Sequence, residues 1–341
     1  MTCDHFEQNL MSFTPLHIHF DTRREAHPVY QLSEDRIDDA FQRRPDLAGR
    51  VKLTISRNQE NIGDHLKTAD ILMGAFLPKE LIRSGAPRLK NIHVIGAGVE
   101  YLYPMDWLPS TVVLTNSRGV HQQKGAESIL LLVLMLNNNI PAFATAQRNA
   151  LWNPLYSTSL KGKTALIVGV GELGGAAAAQ LRSHGLRIIG IRRSGVPHPN
   201  CDETHGPDKL NAMLPRADFV ILTAPLTRET EGLIGRTQFD LMKTGAGLLN
   251  FCRAKVCDHT ALKDALSSRK LSGAISDVFD PDPLPSDSYL WTVPNLFIVP
   301  HCLSSDPDRY VAMSLDLVFE NAARILSAKP LINVVDVERG Y

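Results

Sequence analysis

Three separated stretches of the chain carry side chains able to hold a charge and move a proton. LNFCRAKVCD (249–258) sets Arg253 just past an apolar run, AISDVFDPDPL (274–284) carries Asp277 and Asp282, and VPHCL (299–303) places His301 after Pro300. Each stretch begins with what reads as a strand, and open α/β sheets gather their ligands at the carboxyl ends of strands. A guanidinium there can hold a carboxylate and polarise a neighbouring ketone. An imidazole can give its proton to a developing alkoxide, and a carboxylate keeps that imidazole protonated and oriented. This is the equipment for reducing a 2-oxoacid. Alone, His301 reads as a satisfied loop or core histidine; beside Arg253 and Asp282 it reads as an acid/base.

Such chemistry needs a hydride carrier, and Thr164–Leu181 reads TALIVGVGELGGAAAAQL. A short apolar run leads into Gly169-Val170-Gly171-Glu172-Leu173-Gly174, and an Ala-rich segment follows: strand, tight turn, helix. Gly169 allows the reversal, Gly171 lets the backbone approach a pyrophosphate, and Gly174 lets helix and strand pack closely. The phosphate would sit on the unpaired N–H groups of the helix N-terminus. About twenty residues beyond the turn, a free ribose 2′-hydroxyl would call for an acid at the end of the second strand. The chain has Arg192-Arg193-Ser194 there. Two guanidiniums beside a hydroxyl suit a 2′-phosphate, so NADP(H) is favoured, with NAD(H) possible.

The elements that position these residues alternate. Strands are expected at Leu16–Phe20, Val51–Ile55, Ile71–Met73, Leu89–Gly98 (running into a glycine loop) and Val112–Thr115, with helices at Ser33–Arg43 (capped by Ser33) and Leu77–Ser84. A long helix, Gly125–Asn138, has apolar residues on every face, so it should be buried or covered by a partner subunit; Pro141 ends it or starts the next turn. Beyond the glycine turn, strands are expected at Leu186–Ile191, Phe219–Leu222, Gly247–Asn250, Gly273–Asp277 and Leu296–Ile298. Helices are expected at Asp208–Leu214, Thr237–Met242 (capped by Thr237) and Asp258–Ser267 (capped by Asp258). Asp306–Lys329 reads as one amphipathic helix with Met313, Leu317, Phe319, Ala322 and Ile325 as its apolar set, returning to pack on the first domain. The repetition predicts an α/β protein with parallel sheets and a domain change near residue 121.

Composition agrees with an ordinary globular protein of two domains. Over 341 residues, 44% are hydrophobic and 21% charged, and 36 basic residues balance 36 acidic ones. Neutrality gives no footing for nucleic acid or an anionic membrane. Five cysteines, at 3, 201, 252, 257 and 302, lack C-x-x-C spacing, which points to reduced thiols in a cytoplasmic protein and to no metal centre. Asp4 and Glu7 argue against a signal peptide, and the longest apolar run, Ile129–Leu136, is far short of the ~20 residues that span a bilayer. His5, His17, His19, His27 and His121 show no ligand spacing and read as surface or packing residues. Cys302 reads as a bystander, and Met73–Leu77 and Tyr101–Leu102 as either core or substrate border.

From about Leu89 to Asn321 the chain resembles the D-isomer-specific 2-hydroxyacid dehydrogenase family. The likeness lies in GAGVEYL (96–102), NSRGV (116–120), AES (126–128), VGVGELGG, APLTRETEGLIG (224–235), LNFCRAKVCD, SDVFDPDPLP (276–285), LW (290–291) and PH (300–301), in that order. The resemblance implies a Rossmann-type doubly wound domain (122–301) inserted in a flavodoxin-like substrate-binding domain (1–121 and 302–341). It also implies a homodimer that uses the long helix, and reduction of a 2-oxoacid of the glyoxylate/hydroxypyruvate class. By resemblance, Arg253 binds substrate, Asp282 is the catalytic carboxylate, His301 the acid/base, and Asp277 contacts the nicotinamide carboxamide. The main-chain N–H groups of Ala97 and Gly98 take the substrate carboxylate. Glu172, Leu173, Ala224, Pro225, Thr230, Phe251 and Cys252 fall at cofactor-lining positions. The family usually has glutamate where this chain has Asp282, so the pair with His301 needs a shift of about 1 Å, a displacement that costs rate. Ala254 stands where glycine is common. Two rival readings are an NAD(P)H-sensing, corepressor-like interaction protein and an S-adenosylmethionine methyltransferase. The second leaves Arg253 and His301 unexplained.

Overall fold

Strand and helix alternate from the start of the described residues. In the computed structural model, which describes residues 14–341, β1 (Leu16–Thr22), α1 (Glu34–Gln42), β2 (Val51–Arg57), α2 (Ile62–Leu66), β3 (Ile71–Gly74), α3 (Lys79–Gly85), β4 (Asn91–Val94) and β5 (Val113–Asn116) follow one another. Cys3, Asp4, His5 and Glu7, and with them the reading of the N-terminus, lie outside the described residues. Ser33 caps α1 as expected, its hydroxyl accepting from the Arg36 N–H. The five strands are parallel in the order β2-β1-β3-β4-β5. This is the flavodoxin-like winding, with its reversal between β1 and β3.

The chain then builds a second unit, His121–Asp306. Its elements are α4 (Gln122–Asn137), α5 (Ile140–Arg148), β6 (Thr164–Val168), α6 (Glu172–Ser183), β7 (Arg187–Ile191), β8 (Glu203–His205), α7 (Leu210–Met213), β9 (Phe219–Leu222), α8 (Arg236–Leu241), β10 (Ala246–Asn250), α9 (His259–Ser267), β11 (Leu271–Ser276) and β12 (Leu296–Ile298). Seven parallel strands run β12-β11-β10-β9-β6-β7-β8. The winding departs from β6 in both directions, which makes the sheet doubly wound with its switch point between β6 and β9. Apolar clusters cover both faces, one around Leu166, Val220, Leu248 and Phe239, the other around Ile167, Ile221, Leu249 and Leu132.

The final helix, α10 (Tyr310–Leu326), returns to the first unit, which comprises the chain up to Val120 and Pro307–Tyr341. The fold class is therefore a Rossmann-type unit interrupting a flavodoxin-like one. α10 packs along α1 and buries Val311, Leu315, Val318, Phe319 and Ala322, spaced three and four apart as one helical face. Of the expected apolar set, Phe319 and Ala322 are buried, whereas Met313, Leu317 and Ile325 sit on the partly buried flank.

Other departures have local causes. Of the two readings of Pro141 the second holds, since it lies in the first turn of α5, where its missing N–H costs nothing; the helix that it opens was not expected. α8 is capped by Gly235 and not by Thr237, which lies inside the first turn; the Gly235 N–H donates to Gln238 Oε1 at 3.2 Å. β8 is short and polar, and exists because it pairs with the edge of β7. The long helix α4 buries Ile129, Leu132, Val133 and Leu136 but leaves Leu131 50% exposed. Among the described residues, no single helix is long and apolar enough to cross a membrane.

The turn after β6 sits at the switch point. Gly169 has φ +106°, and a Cβ there would lie 2.4 Å from the Ala224 nitrogen. A Cβ on Gly174 would lie 2.4 Å from the Gly169 carbonyl oxygen, whereas Gly171 has nothing within 4 Å. Two glycines close the turn and the third faces open space. Gly174→Ala is expected to cost about 1–3 kcal/mol by overpacking, seen in urea unfolding as a lower midpoint; an unchanged midpoint would show that helix and strand can part without penalty.

Candidate active site

In the inserted unit, β12 delivers Val299 and Pro300 into a sharp bend. His301 follows in the left-handed region (φ +46°), its N–H donating to the Val299 carbonyl. Asp282 lies in the loop after β11, and its Oδ2 stands 2.6 Å from His301 Nδ1. A carboxylate only accepts, so the proton of this bond rides on Nδ1, and Nε2 is the nitrogen left for exchange with another group. The shorter aspartate thus reaches the imidazole directly.

Arg253 is positioned by a residue that sequence reasoning passed over. Asn250, buried at the end of β10, accepts on Oδ1 from the Cys252 N–H (3.3 Å) and thiol (3.2 Å), and its Nδ2 donates to the Arg253 carbonyl (3.3 Å). Arg253 Nη1 donates to the Cys252 carbonyl at 2.7 Å. The signal was available: an amide closing an otherwise apolar strand must find partners. Burial pushes the Cys252 thiol up to about 12, so it is inert. Burial and Asp277 also raise the Cys302 thiol.

Asp277 follows β11 and is buried. Desolvation pushes its carboxyl up to about 6, against the pull of His301 and of the Cys302 and Leu303 main-chain N–H groups. Its Oδ1 has no hydrogen-bond partner among the described residues. A buried acceptor without a donor suits a ligand carrying an amide N–H. His121, expected to be a packing residue, does pack: Nδ1 donates to the Ser304 carbonyl at 2.9 Å. Burial foremost, then the charges of Arg253 and His301, hold its pKa down.

The glycine turn continues into α6, whose first residue, Glu172, accepts from Gln122 Nε2. Leu173 and Phe251 pack toward Gly125 of α4. Ala224 closes on Gly169; the Pro225 carbonyl accepts from the Thr230 hydroxyl at 2.6 Å, and that hydroxyl accepts from the Thr227 N–H at 2.8 Å. After β7 the chain turns through Arg192-Arg193-Ser194, with the Gly195 N–H donating to the Arg192 carbonyl at 3.0 Å. His198 was not singled out from sequence. Its ring lies against Gly175 of α6, and after burial Arg192 is the strongest influence lowering its pKa.

Ala97 and Gly98 belong to the other unit, in the loop after β4. Asn116 Nδ2 donates to the Ala97 carbonyl at 2.6 Å, and the Ser117 N–H to the Gly96 carbonyl at 3.2 Å. Among the described residues, neither the Ala97 nor the Gly98 N–H donates to a carbonyl. Met73 and Leu102 are core, whereas Tyr101 is half exposed and its hydroxyl donates to the Ala75 carbonyl.

A doubly wound unit with a glycine cradle at its switch point, and with an Asp–His pair and an arginine at its strand ends, defines a dinucleotide-dependent dehydrogenase fold. The family model "D-isomer specific 2-hydroxyacid dehydrogenase, NAD binding domain" matches residues 130–302, and the chain belongs to that family. Members of the family are NAD(P)-dependent dehydrogenases or reductases. The chain is 31% identical to a glyoxylate reductase of Thermofilum pendens, over 73% of this chain and 75% of that protein. It is 29% identical to a D-3-phosphoglycerate dehydrogenase of Methanocaldococcus jannaschii over 85% of its own length, and spans 56% of that protein. Among solved structures, a D-isomer specific 2-hydroxyacid dehydrogenase from Xanthobacter autotrophicus Py2 in complex with NADPH and MES superposes with a TM-score of 0.82 (28% identity, covering 96% of this chain and 100% of that one). An NADPH-dependent glyoxylate/hydroxypyruvate reductase from Sinorhizobium meliloti in complex with NADP and sulfate gives 0.78 (25% identity, 95% and 99%). The buried orphan oxygen of Asp277 and the open face of Gly171 fit the nicotinamide dinucleotide that the family uses.

The raised Asp277 carboxyl has a consequence for stability. A carboxyl whose folded value exceeds its ordinary 3.8 favours the native state below that value, and the benefit is lost as pH rises through about 6. Asp277→Asn should therefore flatten the fall in unfolding free energy between roughly pH 4 and 6, by at most about 3 kcal/mol. Urea melts of both proteins across that range measure it, and identical pH profiles would contradict the buried assignment.

Proposed function

We propose that the protein is an NADPH-preferring reductase of small 2-oxoacids of the glyoxylate/hydroxypyruvate class, yielding D-2-hydroxyacids. The observation that carries this reading is the 2.6 Å Asp282–His301 pair in the same unit as Arg253. When bound, the reduced nicotinamide supplies the hydride that the ketone carbon receives. Arg253 holds the substrate carboxylate and polarises the ketone, and His301 gives the Nε2 proton to the developing alkoxide. Asp282 stabilises the imidazolium and fixes its ring. Asp277 accepts from the carboxamide, and Ala97 and Gly98 keep the role that the resemblance implies, main-chain N–H donors for a substrate carboxylate. The discontinuous unit is in this reading the substrate-binding domain, 1–121 with 302–341, and 122–301 the dinucleotide domain.

The preference for NADPH rests on Arg192 and Arg193, with Ser194, in the turn after β7; a carboxylate at that turn would repel a 2′-phosphate. The names of the relatives support both the substrate class and the cofactor. The four described cysteines are free thiols, which suits a cytoplasmic setting.

Loss of reduced-nicotinamide absorbance with a 2-oxoacid panel tests the activity. His301→Asn should lower kcat by about 10²–10⁴-fold. Arg192→Asp should weaken NADPH binding by removing a charge-assisted contact of about 1.5–3 kcal/mol, with NADH little affected. No oxidation with any panel member would sink the enzyme reading, and equal NADPH affinity in the Arg192 variant would sink the cofactor assignment.

The protein is also read as a homodimer. Trp152 is 97% and Tyr156 93% exposed, in a segment that also exposes Leu151, and Leu131 of α4 is half exposed. Large apolar groups in such number mark a contact surface. Paired Trp152→Ala and Tyr156→Ala changes are expected to shift sedimentation toward monomer; a wild type that already sediments as monomer would refute the dimer.

A further inference from the structure

The sheet of the discontinuous unit holds a histidine cluster that the reading above does not use. His17 and His19 stand two apart on β1, so both side chains leave the same face. Thr54, paired with His19 in register, and Ser56 do the same on β2. His65 of α2 stacks on His19, ring centroids 4.3 Å apart, and its ring lies 6.4 Å from that of His17. One ring nitrogen from each of the three lies within 4.8 Å of the others. The expectation that His17 and His19 are packing residues without ligand spacing therefore describes their burial but misses their convergence.

The hydrogen bonds show which nitrogens converge. His17 Nε2 and His19 Nδ1 both point at one atom, Thr54 Oγ1, at 2.7 and 2.8 Å. Their far nitrogens are anchored, His17 Nδ1 on Thr68 Oγ1 and His19 Nε2 on Ser56 Oγ, each at 3.0 Å. The Ser56 hydroxyl donates to Asp21 Oδ1 at 2.6 Å, which leaves its oxygen to accept; His19 thus carries its proton on Nε2 and a lone pair on Nδ1. The Thr68 hydroxyl lies 3.3 Å from the His65 carbonyl; donation there leaves its oxygen to accept from His17 Nδ1–H. Both inner nitrogens are then lone pairs facing a single threonine hydroxyl, which has one proton for the two.

This is the arrangement around a metal-bound imidazole: the far N–H donates to an oxygen, backed for His19 by a carboxylate, and the near lone pairs converge on one point, where a single hydroxyl proton serves both. We infer that His17, His19 and His65 form a binding site for a zinc-class divalent transition-metal ion, separate from the Arg253–Asp282–His301 set and independent of the proposed activity. Three neutral imidazoles suit zinc, copper or nickel, not magnesium or calcium. Nitrogens sharing one tetrahedral zinc at about 2.0–2.1 Å stand about 3.3 Å apart, so the trio must close by no more than about 1.5 Å from its 4.8 Å spread. His65 supplies that movement by turning out of its stack, since it is only partly buried on a five-residue helix. The ion would take the point that Thr54 Oγ1 now holds between the two lone pairs, so that hydroxyl turns aside and a water is the fourth ligand.

The test uses tag-free, chelator-treated full-length protein. Calorimetric titration with Zn²⁺ should show one equivalent bound, with a higher melting temperature. His65→Ala should weaken that affinity at least about tenfold, while its metal-free melting temperature stays near that of the wild type. Co²⁺ should give the visible bands of a four-coordinate ion in the unmodified protein, a readout that needs no variant. Equal Zn²⁺ affinity in the His65 variant, no saturable binding, or only the weak bands of six-coordinate Co²⁺ would each overturn the site and leave a hydrogen-bonded packing cluster.

Discussion

Everything at the dinucleotide end depends on how closely two backbones approach at the switch point. The loops leaving β6 and β9 diverge there, and the space between Gly169 and Ala224 admits no side chain. That contact lets α6 begin one residue after Gly171, so its unpaired N–H groups and an uncovered stretch of backbone face the same opening. A bulkier turn would start the helix elsewhere and leave the cradle without its floor. The apolar strands beneath it, from Ala165–Val168 to Val220–Leu222, are buried on both faces and make that floor rigid.

The side chains proposed for the chemistry all stand just beyond strand ends of the same sheet, each held by local bonds and not by its own rotamer alone. Asn250 ties the loop of Arg253, main-chain donors sit against Asp277, and Asp282 orients His301. Parallel strands end in one direction, so groups far apart in sequence emerge on one side of the sheet. The chemistry needs precise loops, and the sheet supplies rigid stems for them.

Legibility followed the range of the forces involved. Phe219–Leu222, an apolar run between Asp218 and Thr223, and Leu296–Ile298, between Asn295 and the Val299-Pro300 step, are legible to their ends because such boundaries leave little choice. The caps at Ser33 and Asp258 were legible because a cap is a contact between near neighbours. α5 was missed because Pro141 is equally at home ending one helix or opening the next. β8 was missed because nothing in Glu-Thr-His favours a strand until β7 offers its edge. The same limit applies at the site. Arg253, Asp282 and His301 could be named from order and spacing, and Asn250 from its place closing an apolar strand, but His198 gains its interest from Gly175, a partner that only the fold supplies. His65 lies 46 or more positions along the chain from the two histidines it meets.

The discontinuity of the first unit has a consequence for how the protein comes into being. The inserted unit is one continuous run, complete once Asp306 has been made. The unit begun first is closed by α10 and the tail: Ser117 donates to Ser314, the Tyr310 hydroxyl reaches the Ile95 carbonyl, and Asn333 reaches back to Asn116. During synthesis, the apolar faces of β1 and β3 that α10 will cover must wait, exposed, while nearly two hundred further residues emerge. Of the two units the one begun first is closed second, and its core is the one left open to capture by something else in the meantime.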